Sequence, residues 1–312
     1  RAEGWVGPVM KGILRRTNWP TVVGLLLLAC IAVLLLVPSV FPVRPPDQVQ
    51  VGIEAGGTVH RPPFAPGTLG YPLGSDLAGR DMLSRLAVGG RYTLGISLLV
   101  VALRAAVAVP LGLFAGWNRN WLAAALMTLS TAVSSIPSLV LIVFLLGTLS
   151  QVFRISWRLP LYCAVIAAIG VPRLAHQVAE LTAAVRSQPF VEGAIAVGAT
   201  SGRIVKRHVL PVLRGDIAVA LATEVAWVMV IMGQLAVFDV FIGDTTLVIV
   251  GNRPVTVEVI PEWSQMMGLN RHEVRLHPWI PGFPAILLGL TVTAVHFLAE
   301  GLRRTWSRRR AG

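Results

Sequence analysis

The sequence predicts an all-α, polytopic membrane protein with six transmembrane helices and both termini in the cytoplasm. Three observations predict it. Hydrophobic residues make up 54% of the 312 positions and charged residues 13%, about half the roughly 25% typical of a soluble domain; the mean hydropathy is +0.70. Six apolar runs each approach or exceed the ~20 residues that cross a hydrocarbon core. The basic residues between those runs alternate in density, as the positive-inside rule asks of a defined orientation.

The first run, about 21–41, has LLLLACIAVLLLV at its heart and stops at Pro42 and Pro45-Pro46. It is too long for a signal-peptide core, and no small-residue cleavage site precedes Pro42, so it reads as a retained helix. The remaining runs are about 93–117, 121–149, 159–181, 216–238 and 283–303. They divide the chain into a cytoplasmic N-terminal segment (1–20), a membrane domain (21–304) and a basic cytoplasmic tail (305–312). No internal repeat is evident. Cys30 and Cys163 both fall in apolar runs and read as small buried hydrophobes. The six histidines are scattered, with no metal-ligand spacing.

A net charge of +12 and a pI near 11.3 raise nucleic-acid binding first. The location of the bases argues against it. With the N-terminus inside, 15 of the 27 bases fall on inner segments and 10 on outer ones, while Arg104 and Arg173 lie within spans. Arg15-Arg16 precede the first span and Arg303-Arg304 follow the last. Trp19, Trp117, Trp121, Trp157 and Trp306 fall near the expected interfaces with membrane lipids. The charge therefore records topology, and no nucleic-acid partner is expected.

Three segments outside the spans are long: external 43–92 and 239–282, and internal 183–215. The external ones lack the periodicity of an independent core and are expected to be ordered loops with short helices. The internal one reads as helix, tight turn, short basic helix. Pro189 favours a helix start. Gly198 permits the turn, and Thr200 or Ser201 can cap the next helix. Arg203, Lys206, Arg207 and His208 give that helix basic character, and Pro211 is expected to end it before the fifth span. The positive-inside rule explains the charge but not this ordered shape. A rigid knob suits docking into a groove on another protein.

The knob resembles the EAA loop of ABC importer permeases. Glu192, Gly198, Leu210 and Pro211 match that loop's spacing without gaps; Ala194 keeps its second Ala, while Gly193 departs from the first and loosens the helix start. In that family the loop is a coupling helix seated in a cytoplasmic ATPase.

Before the second span lie Gly74, Asp76, Gly79, Arg80, Asp81, Ser84 and Arg85. Asp76 can cap a short helix and pair with Arg80 or Arg85. Met82, Leu83, Leu86 and Val88 offer the apolar face of an interfacial helix. Asp76 with Asp81 as an acid–base pair or calcium site lacks further ligands. The stretch resembles the His-Pro-Leu-Gly-Thr-Asp…Gly-Arg-Asp…Ser-Arg motif of C-type permeases in the peptide/nickel importer family. Tyr71 stands for the His, Ser75 for the Thr and Thr93 for a Ser. PEWSQMM at 261–267 is similar to that family's Pro-x-Trp-Gly-x-Met element, with Ser264 for the Gly, and the last helix is similar too.

Arg104 and Glu224 are ionisable groups at membrane depth, costly there and pointers to function by default. Arg104 can pair with Glu224, line a substrate path or reach a lipid headgroup; Glu224 is the better path candidate. Arg173, His176 and Glu180 are expected near the inner interface.

There is no GxxxxGK[ST] loop and no nucleophile–base constellation, so this chain is not expected to be an enzyme or to hydrolyse ATP itself. The resemblance implies a type I ABC importer permease fold in a bacterial inner membrane, carrying di- or oligopeptides. It implies a homologous second permease, two ATP-binding subunits or one fused ATPase holding ATP and Mg, and an extracytoplasmic substrate-binding protein. A nickel or metal-chelate permease shares the motifs. A secondary transporter would show inverted repeats and broken helices, neither of which the sequence displays.

Overall fold

A computed structural model describes residues 18–40, 44–118, 121–152 and 158–311. Arg1, Lys11, Arg15, Arg16, Pro42, Arg119, Arg154 and Trp157 lie outside the described residues, as do the side chains of Arg308, Arg309 and Arg310. The chain is a helical bundle. Among the described residues five helices are long and apolar enough to span a membrane, or six where the sharply bent helix pair is counted as one span.

Helix α1 (Trp19–Val40) runs antiparallel to the last helix, α9 (Trp279–Ala311); Gly24 and Gly301 let the two backbones approach. Helix α2 (Met82–Asn118) begins eleven residues before its expected span. The expected interfacial helix at Met82–Val88 is thus the first turns of α2, because nothing between Met82 and Thr93 breaks the helix. Helix α5 (Arg158–Arg186) lies parallel to α2. Their contact rests on small residues: a Cβ on Gly112 would sit 2.5 Å from the Ala175 carbonyl, and one on Gly116 2.2 Å from that of Ala179. Membrane helices associate by such close packing, since lipid offers apolar side chains no incentive to leave it.

The expected third span is not one helix. Helices α3 (Trp121–Ser135) and α4 (Ser138–Val152) meet at 87°. Pro137 lacks an amide hydrogen and forces Ile136 out of the helical region, so the turn breaks there. Broken helices therefore do occur in this chain, and their expected absence is no argument against a secondary transporter.

Helix α6 (Pro189–Ala196) and the start of α7 (Ser201–Val237) build the internal knob. Pro211 does not end the basic helix. A π-turn at Val205–Val209 carries the chain without a stop into the span, and Pro211 falls just after it. At roughly 1.5 Å per residue α7 is about 55 Å long.

The external segments hold two hairpins that were not expected. Strands β1 (Ile53–Ala55) and β2 (Thr58–His60) turn at Gly56-Gly57, both at positive φ. Strands β3 (Thr245–Val250) and β4 (Arg253–Glu258) turn at Gly251-Asn252. Each needs only a tight turn and β-favouring neighbours, not a core of its own. The short helix α8 (Trp263–Leu269) follows. Cys163 is buried as expected, but Cys30 is exposed on the outer face of α1.

Gly116→Val should loosen the α2–α5 pair. Over-packing of this kind costs about 1–3 kcal/mol, and the detergent-solubilised protein should melt several degrees lower, while Gly95→Ala, where a Cβ meets nothing, should leave the melting temperature unchanged.

Candidate functional site

The knob is small but anchored. Val191, Ile204, Val209 and Leu213 are buried in a cluster with Trp117, Val185 and Ile217, which fixes both short helices to the C-terminal ends of α2 and α5 and the first turns of α7. Gly198 turns the chain at φ +83°, a region open to few L-residues. Thr200 occupies the N-cap of α7 through its carbonyl, which accepts from the Ile204 amide at 3.0 Å; its side chain makes no cap bond. Glu192, Arg203, Lys206, Arg207, His208, Leu210 and Pro211 are exposed, and Ala194 is partly buried. The tip is apolar: Phe190 and Ile195 are about half exposed and Val197 is 89% exposed. Apolar exposure on so firmly anchored a tip suits a protein partner.

Three arginine–tryptophan stacks mark the same end, one of them Arg304 over Trp19 at 5.7 Å. Arg186 lies over Trp117 and Arg214 over Trp306, with ring distances of 5.5 and 5.4 Å.

At mid-bundle Arg104 and Glu224 form a buried ion pair, Nη1 donating to Oε2. Arg104 Nη2 also donates to the Ile166 carbonyl at 2.6 Å. A second cation shares the carboxylate: Arg173 Nη2 donates to Glu224 Oε1 at 2.7 Å. Both guanidinium groups lie over Trp227. Arg173 was expected at the interface, but it stands near the middle of α5. Gly170 makes the pair possible, because a Cβ there would fall 2.0 Å from Arg104 Cζ.

At the opposite end of the bundle the charged motif residues and Ser84 all have partners. Asp76 caps no helix. Its Oδ1 accepts from the amides of Ala78 and Arg80, and its Oδ2 from Arg80 Nε at 2.6 Å. Asp81 caps α2 instead, accepting from the Ser84 amide and hydroxyl at 2.8 Å each. Arg85 is fully buried and reaches Glu258 Oε1 at 2.6 Å, Asp47 Oδ1 at 3.0 Å and Asp76 at 3.8 Å. Arg80 approaches Glu258 as well. Gly74 and Gly79 hold φ +76° where a side chain would strike Phe64 or Gln50. Tyr71 stacks under Arg44, and burial raises its phenol pKa against the pull of that cation. These residues clamp the external loops onto the bundle. With Asp76 turned toward two guanidinium groups, an acid–base or calcium role has no geometry here.

The profile for the family described as binding-protein-dependent transport system inner membrane component matches residues 108–311. The chain belongs to this family. Three similar proteins illustrate the relationship. The oligopeptide transport system permease protein of Haemophilus influenzae is 27% identical over 288 residues, 92% of this chain and 83% of that protein. The glutathione transport system permease protein of Pectobacterium atrosepticum is 25% identical over 231 residues, 74% of this chain and 70% of that protein. Its counterpart in Escherichia coli O6:K15:H31 is 28% identical over 236 residues, 76% and 71% respectively. The chain is a multi-pass inner-membrane permease subunit of a multi-subunit ABC importer.

In the permease the 261–267 element seals the clamp from inside. Trp263 is fully buried against Gly89 and Gly90, and its Nε1 donates to the Leu86 carbonyl at 2.7 Å. Glu262 caps α8 and accepts from Thr93 Oγ1 at 2.7 Å, while the Ser264 hydroxyl also donates to it. Sequence reasoning missed Trp227, Glu258 and Glu262, and it named Arg173 without pairing it to Glu224. The one available signal was an unmatched charge: Glu224 lies on a span with two arginines on others.

Arg85→Leu should strand Asp76 and Glu258 without their buried cation. Breaking such a network costs about 3–5 kcal/mol, and thermal unfolding should show a large drop. Glu224→Gln should be similarly destabilising, with Arg104→Met restoring part of the loss in the double variant; strictly additive losses would contradict the pairing.

Proposed function

We propose that this permease forms half of the translocation path of an ATP-driven importer for di- and oligopeptides, with its knob and both termini on the cytoplasmic side. A homologous second permease completes the path. Two ATP-binding subunits, or one fused ATPase, bind ATP and Mg below, and a substrate-binding protein delivers the peptide from outside. The chain has no catalytic role. The peptide substrate is carried over from the relatives, whose names concern oligopeptides and glutathione.

The observation that carries the reading is the continuity of α7 from knob to outer end. The anchored knob moves as one piece with the ATPase it docks on. Helix α7 carries that motion to Glu224 at mid-bundle, and Glu224 is tied to α2 and α5 through Arg104 and Arg173. Closure of the ATPase pair thus rocks three spans together, which is alternating access by rigid-body movement. The arginine–tryptophan stacks support the inner assignment of the knob end.

Val197→Asp tests the docking directly, because the residue touches the solvent rather than the core. Loss of an apolar contact at a docking tip is worth about 2 kcal/mol. In the reconstituted importer the variant should lose most ATP-driven peptide uptake while keeping its melting temperature. Full uptake in both Val197→Asp and Glu192→Lys would place the ATPase contact elsewhere.

A further inference from the structure

The three charges at mid-bundle do not cancel. One carboxylate, Glu224, answers two guanidinium groups, so the cluster holds one net positive charge. Arg104 is sealed inside the bundle, but the Arg173 side chain is 44% exposed. Arg173 lies 15 residues from the start of α5 and 13 from its end, about 20 Å from either. A guanidinium that far along the axis from both ends of a spanning helix is heavily penalised where it faces lipid.

Its surroundings are not those of a lipid-facing surface. Arg173 opens onto a cavity of about 460 Å³ over α7, walled by α5 and α9 and lined also by Gln177, Thr223, Trp227 and His296, by three apolar residues of α7 and by Arg303, which Glu300 answers at 3.2 Å. Gln177, Thr223 and His296 are themselves exposed. By contrast, the outer face of α2 presents Leu98, Leu99, Leu103 and Val107. The polar wall therefore faces water rather than lipid, and in a permease that forms half of a path, this is the half-path surface.

We propose that Arg173 is an anion-recognition site on the translocation path, taking the carboxylate of the transported solute. The inference rests on the permease reading above and adds the contact within it. Glu224 and Trp227 hold the guanidinium flat and leave its outer edge free to pair with a carboxylate, the geometry that suits arginine best. Arg104, fixed to the Ile166 carbonyl, keeps the shared carboxylate from neutralising Arg173 fully. Because Glu224 rides on α7, rocking of α7 changes the hold on Arg173 and so on the passing anion.

The test uses the whole importer in liposomes, with cysteine-free partners, C30A and C163A in this chain, and one cysteine introduced by Q177C. Two water-borne thiol reagents of opposite charge, sulfonatoethyl and trimethylammonioethyl methanethiosulfonate, probe the position. Both should label it, the anion about tenfold faster, and R173Q should abolish that preference while R173K keeps it. In importers with Gln177 intact, the ratio of trialanine uptake to uptake of its C-terminal amide should fall about tenfold in R173Q and recover in R173K. No labelling at position 177 would mean a sealed or lipid-facing wall and would overturn the proposal. So would a charge preference that survives R173Q, or equal loss of both peptides. Anion-selective labelling in an importer that carries neither peptide would support the site and overturn the peptide reading instead.

Discussion

A carboxylate in the middle of a membrane bundle must be answered by a cation, and Glu224 is answered by two. Much of the architecture follows from that requirement. Glycine is needed at position 170 so that Arg104 fits, and Trp227 provides a face for both guanidinium groups. Helices α2, α5 and α7 are fixed at one depth by side chains that have no acceptable alternative partner in hydrocarbon. Close packing at Gly112 and Gly116 sets the α2–α5 approach, and the shared charges add α7 to the same register.

The two ends of the bundle solve different problems. Outside, long loops with little apolar surface need an ionic clamp, and Arg80 and Arg85 provide it by gathering Asp47, Asp76 and Glu258 from segments far apart in the chain. At the other end, a short segment keeps its shape while leaving part of its surface open. It does so with an apolar underside, a glycine turn and an exposed apolar tip. Helix α7 joins the knob to the carboxylate at mid-bundle without a break.

The spans were legible because a long apolar run has one stable outcome in a bilayer. The knob was legible because proline, glycine and basic residues mark its helices in order. The hairpins were not, because a two-stranded turn at Gly56-Gly57 or Gly251-Asn252 buries too little to leave a periodic trace. The bend at Pro137 was written in the sequence but hidden by the length of the apolar run around it. The pairing of Arg104 with Glu224 was one of several open readings; Arg173 as the second partner depends on helix rotation, which hydropathy does not specify. Asp76 pairs with Arg80 and Arg85 as expected, but the helix cap falls to Asp81, since either spacing can cap a helix and only the surrounding loop decides which one does.

The central claim is that Glu224 is an ionised carboxylate shared by Arg104 and Arg173 within the membrane. Infrared difference spectroscopy of the purified permease against Glu224→Gln at neutral pH tests it most directly. The account predicts loss of the paired carboxylate stretching bands in the variant, shifted from their aqueous positions by the two guanidinium groups. Loss of a protonated carboxylic-acid carbonyl band instead would show that Glu224 carries a proton and that the ionic tie between the three helices does not exist.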